Sequence, residues 1–318
     1  MSESHNNHLR LDALAAISGV LIALQARANG ELSHRLDNPP QAALISFSSG
    51  LLLVTLYAII SPSVKQGIQQ IRAAVARGDI PRWRLLAGAL GGSFVAVQTN
   101  VVPLIGVALF SVASLAGQTA TSLIVDRIGL TGGGPKPISP RRVAAAGITV
   151  GAVLISVWDK LGAANFALFG VLLATFAGAF VGVQRALNGQ INEYSKESYA
   201  TTFVNFITGT TFPIIFVGVV ILLGKEKLSP LPAGPWWIYA GGAIGVIYIA
   251  STSLIVQHLG VLTFTLFSVG GQLFGSLVID LLAPSEGVSV SGYLVTGIAM
   301  TYAGVMVSGV QRSRRATQ

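Results

Sequence analysis

Uncharged apolar runs of about 20 residues recur along the whole chain, separated by short polar stretches. Each run is long enough to cross the hydrocarbon core of a bilayer. The pattern predicts ten spans, at about 11–28, 40–60, 83–103, 107–126, 141–158, 165–185, 199–223, 236–257, 261–282 and 290–310. One further helix is expected between the second and third spans. There Val64, Ile68, Ile71 and Val75 recur at helical spacing, with Lys65, Gln69 and Arg72 off that face. Pro62 stands near its start, and Gly78-Asp79 with Pro81 ends it. The spacing predicts a helix over about 63–79 lying on the inner leaflet, its cations toward anionic lipid headgroups. The fold class is therefore an all-α integral membrane protein.

The pattern repeats. Gln-x-x-x-Asn-Gly occurs as Gln25–Gly30 and as Gln184–Gly189. Ser46-Phe47-x-x-Gly50 follows the first copy, and Asn205-Phe206-x-x-Gly209 follows the second at the same offset. Gly117-Gln118 with Asp126 is matched by Gly271-Gln272 with Asp280, and Trp83 and Trp237 open equivalent spans. The chain reads as one five-helix unit written twice, 1–159 and 160–318, joined by a tight turn around Asp159-Lys160. An odd number of spans per unit inverts the second copy relative to the first, the architecture on which alternating-access transporters are built.

Composition agrees: 52% of residues are hydrophobic and 10% charged, against about a quarter charged in soluble domains. A pI near 10 invites a nucleic-acid reading. The basic residues, however, fall in loops between spans, where they report orientation. Of the 20 Lys and Arg, fifteen fall on the side of the termini and five on the other, which predicts both termini in the cytoplasm and excludes nucleic acid as a partner. Arg10, an apolar stretch and Ala26-Arg27-Ala28 resemble a cleavable signal peptide. The internal recurrence of the same ending at Gln184–Gly189 argues against cleavage.

Polar groups inside lipid are costly unless satisfied, so their positions are informative. Gln118 and Gln272 form the deepest matched pair. Either interhelical hydrogen bonds or a solute in a wet chamber satisfies them. Ser46 and Asn205 form a second pair, and Pro213 is expected to kink the helix carrying Asn205. Gln25, Asn29, Gln184 and Asn188 are expected to shape the two mouths. By topology Arg27 and Asp280 share the external face while Arg185 and Asp126 share the cytoplasmic one, suggesting two cross-repeat gating ion pairs. Solvated interfacial charges are the plainer account of the same residues. Gly147/Gly151 and Ala299/Ala303 suggest that spans five and ten pack against something, a second copy of the chain in a homodimer being one candidate.

No span carries a carboxylate at its middle. This favours a neutral or amphipathic solute over a bare cation, with attraction of an anionic group at entry by Arg27 or Arg185 as the alternative. The sequence has no P-loop and no Cys, its four His are scattered, and no catalytic constellation stands out. No enzyme activity, metal or cofactor is expected.

Taken in order, Gln-x-x-x-Asn-Gly, Ser/Asn-Phe-x-x-Gly, a Trp heading the third span and Gly-Gln-x7-Asp closing the fourth resemble the YdcZ-type inner-membrane exporters of the drug/metabolite transporter superfamily. The likeness covers all but the tails. It implies a ten-helix bundle with spans one to four and six to nine around a central cavity, and spans five and ten outside. The expected function is secondary transport of a small organic metabolite by alternating access, with Gln118 and Gln272 as the floor of the site and Ser46 and Asn205 flanking it. A lipid scramblase with a lateral groove, or a non-transporting accessory subunit with dry glutamines, are the alternative readings.

Overall fold

A computed structural model describes residues 2–130, 138–160, 165–224, 227–259, 261–285 and 288–309. The described residues hold ten α-helices and no strand. They are α1 (Ser2–Leu36), α2 (Pro39–Ile60), α3 (Pro62–Arg77), α4 (Ala87–Arg127), α5 (Pro140–Ser156), α6 (Asn165–Ser195), α7 (Ser198–Leu222), α8 (Gly241–Leu259), α9 (Val261–Leu282) and α10 (Gly292–Gly309). Five stretches are long and apolar enough to cross a membrane: 10–36, 39–60, 82–125, 168–195 and 198–222. Shorter apolar stretches lie at 241–252, 267–282 and 292–307.

α4 is two helices in line. Gly106 (φ 82°, ψ 168°) breaks it between the expected third and fourth spans, three residues after Pro103. Each segment has about 20 residues, roughly 30 Å of helix, the length of one crossing. α7 runs on through Pro213.

Two helices outrun their apolar patterns. α1 continues to Leu36 and α6 to Ser195, where the sequence suggested ends near 28 and 185. In α1 the extension carries Arg27, Glu31 and Arg35 one turn apart, joined as ion pairs at 3.2 and 2.7 Å. Its other face buries Leu32 and Leu36. The turns that follow α1 and α6 are alike. Asp37 (φ 48°) and Lys196 (φ 50°) both adopt the left-handed conformation. Asn38 and Glu197 then cap the next helix by accepting from Gln41 N and Ala200 N.

Packing crosses the repeats. α1 lies along α9, and α6 along the second segment of α4. Glycines set both seams: Gly19 touches the Ser268 carbonyl and Gly271 that of Ala16, while Gly178 touches the Ser114 carbonyl and Gly117 that of Thr175. α2 meets α7 in the same reciprocal way, with Gly50 against the Phe206 ring and Gly209 against the Phe47 ring. Each of these contacts made by one half is returned by the other, as a two-fold relation generates.

α5 and α10 pack together, with Gly297 against Ala152 and Ser156, and Gly304 against Ala145 and Thr149. Gly147 and Gly151 lie off this contact: among the described residues nothing comes within 4 Å of a Cβ placed at either.

The expected α3 is present, capped by the Ser61 hydroxyl and closed by left-handed Gly78. Its apolar face does not lie free for lipid. Val64, Ile71 and Ala74 are buried with Ile191 of α6 and Ala200 of α7, and Gly67 abuts Ala200 and Glu197. Lys65 and Arg72 point outward. Burial of that face against α6 and α7 removes it from water as effectively as a bilayer would.

Candidate functional site

Between the halves lies a small, partly open cavity of about 80 Å3. Its walls are built from matched positions. Gln118 and Gln272 both line it, from α4 and α9. So do Ser46 and Asn205 from α2 and α7, and Gln25 and Gln184 from α1 and α6. Apolar pairs complete it: Ile22 with Val181, Phe47 with Phe206, and Val95 with Ile249. Phe47 and Phe206 meet each other at 5.3 Å between ring centroids. Gly91 and Gly245 complete the wall where Gln184 and Gln25 press closest. A side chain at either glycine would displace the amide.

The amides are held differently in the two halves. Asn205 Oδ1 accepts from both Gln184 Nε2 (2.9 Å) and Asn188 Nδ2 (3.0 Å). Ser46, at the equivalent position, is too short to play that part. Gln25 Nε2 instead donates to the Gly241 carbonyl of α8 (3.0 Å), and Asn29 Nδ2 to Gln98 Oε1 of α4 (2.8 Å). Asn29 is fully buried and, like Asn188, stands behind the cavity wall rather than on it. With α1 and α6 running on well past these residues, the Gln-x-x-x-Asn-Gly motif sits within each helix rather than at its end. Among the described residues, buried Gln118 Oε1 and Asn205 Nδ2 have no hydrogen-bond partner.

The proposed gates look different in the structure. Asp280 is buried, and its oxygens accept from the backbone N–H of Val107 (3.0 Å) and Ala108 (2.7 Å). The break at Gly106 starts a new helix there, whose first N–H groups lack intrahelical partners. A carboxylate satisfies two of them and meets the positive end of the helix dipole. Asp280 of α9 is thus a cap for α4. Arg27 has other partners: Glu31, and Ser285 Oγ at 3.3 Å. Of the second expected gate, Asp126 has its side chain outside the described residues. Arg185 lies on the cavity wall, its Nη2 donating to Tyr248 Oη at 2.9 Å.

Sequence reading did not single out Tyr248 and Phe94. They occupy equivalent positions eleven residues after Trp237 and Trp83, so the repeat itself would have found them. Arg185, expected at the cytoplasmic end of its span, lines the cavity. Among the described residues no ion pair engages Arg185, and no carboxylate lines the cavity.

One solved structure, described only as "Crystal structure of protein", is similar over 94% of this chain and 94% of its own, with a TM-score of 0.53 at 17% identity. That likeness speaks to the fold. Comparison with curated proteins gives no match. The sequence matches the family described as "Putative inner membrane exporter, YdcZ" in two stretches, 11–155 and 169–307, one in each half. Covered in this way over most of its length, the chain belongs to the YdcZ family of inner-membrane exporters in the drug/metabolite transporter superfamily.

Proposed function

We propose that the protein is a secondary transporter that carries a small organic solute across the inner membrane by alternating access. In this reading the chain crosses the bilayer ten times as two inverted five-span halves, with both termini cytoplasmic. The solute occupies the cavity between the halves, with Gln118 and Gln272 at its floor, Ser46 and Asn205 beside them, and Gln25 and Gln184 on the walls. Asn29 and Asn188 brace the walls from behind. The observation that carries the reading is the cavity itself, lined by matched polar pairs from both halves. A dry accessory subunit has no use for unpartnered amide atoms around an open space, whereas a solute path does.

The cross-repeat seams constrain the motion. Backbones meet closely at these glycines, and in this reading α1 moves with α9, and α6 with the second segment of α4. The rocking bodies are these mixed units rather than the two sequence halves.

The chain has no Cys, so a single introduced thiol reports on its own surroundings. Val181→Cys on the cavity wall should react with a membrane-impermeant maleimide from either face, tested in right-side-out and inverted vesicles. Labelling from one face alone, or from neither, contradicts alternating access. Metabolite profiles of a deletion strain, inside cells and in the medium, then identify the solute.

A further inference from the structure

We propose that the solute is an organic anion with an apolar body, its acidic head held by Arg185; this rests on the transporter reading above. The cavity is two-fold in nearly every lining residue, and its departures from polar symmetry all fall in the second half. Arg185 stands where the first half has Ala26, Tyr248 where it has Phe94, and Asn205 where it has Ser46. Each change adds hydrogen-bonding capacity. All three residues line the cavity: the guanidinium donates to the phenol at 2.9 Å, and Asn205 Nδ2 is buried with no hydrogen-bond partner among the described residues.

A guanidinium keeps its charge at any working pH, so this wall is permanently positive. A charge held within the membrane is costly unless something opposite meets it. The Tyr248 hydroxyl accepts from one Nη and so orients the guanidinium. The planar fork suits a carboxylate, sulfonate or phosphate oxygen pair. The rest of the lining includes an apolar set, Phe94, Phe47, Ile22 and Val95. An amphipathic acid satisfies both at once. A cation would meet like charge, and a neutral solute would leave the guanidinium without a counter-ion.

Charged thiol reagents test this whatever the solute is. Val181→Cys lies one helical turn from Arg185, and Ser46→Cys provides a second site on another helix. Each is reacted in membranes with anionic sulfonatoethyl methanethiosulfonate and cationic trimethylammonioethyl methanethiosulfonate, with rates normalised to a free thiol in solution. The anionic reagent should react about tenfold faster, as expected of a cleft lined by one sign of charge. Arg185→Gln should bring the ratio close to one, and Arg185→Lys should retain much of the preference. In binding assays benzenesulfonate should stabilise the purified protein against heat, and uncharged benzenesulfonamide should do so far less. Equal normalised rates, a cationic preference, or a ratio unmoved by Arg185→Gln overturns the anion assignment and leaves transport standing. No reaction with either reagent at either site removes the transporter reading and this inference with it.

Discussion

Asp280→Ala should lower the stability of the protein by about 2–5 kcal/mol, the combined loss of a helix cap and of partners for two buried N–H groups. The carboxylate is buried and bridges to Val107 and Ala108 across the break at Gly106. Without it, the second segment of α4 begins with donors facing apolar surroundings. Asp280→Asn keeps one acceptor and should lose about half as much. Thermal melting of the detergent-solubilised protein gives the measurement. It also separates a cap from a gate. A gate built on Arg27 and Asp280 requires that exchanging the two charges restore what either single change loses. A cap permits no rescue, because Arg at 280 offers nothing to an N–H. Recovery of stability and transport in the exchanged double variant would return Asp280 to the gate.

How far the chain could be read in advance follows from what each signal encodes. Hydropathy marks where a helix must be apolar, not where it ends. So the span ends near 28 and 185 fell short of Leu36 and Ser195. The 27–31–35 charge spacing and the Leu32/Leu36 pair were the overlooked signs of continuation. The matched positions were legible because duplication prints them twice, and most of the cavity lining consists of such matches. What duplication hides is divergence. Tyr248 matches a Phe, so it drops out of a search for likeness, whereas Arg185, which matches an Ala, stands out by its charge. Cross-repeat partners were out of reach for another reason. Periodicity identifies the buried face of a helix and is silent on which helix meets it, so α3 was assigned to lipid when α6 and α7 cover it.

Gly117→Val should abolish accumulation of folded protein, and Gly271→Val should do the same. At each, even a Cβ would land on a backbone carbonyl, Thr175 for Gly117 and Ala16 for Gly271. Backbone cannot swing aside as a side-chain tip can. The two helices must part along the seam, and with them go the close contacts that hold α6 to α4 and α1 to α9. Overpacking of this kind costs about 1–3 kcal/mol where a core can adjust, and more where it cannot. Gly147→Val is the control, since among the described residues nothing lies within 4 Å of a Cβ placed there. The contrast between the two classes, read as the yield of monodisperse protein from membranes, decides whether the glycines work as contacts or merely as composition. It bears on mechanism too. If Gly117→Val and Gly271→Val both fold normally and lose only transport, the seams slip during the cycle, and the mixed units proposed as rigid bodies are not rigid. If folding fails, the seams are fixed joints. The cavity must then open and close where the contacts are looser, around α2 and α7, whose shared Phe47–Phe206 contact forms part of its wall.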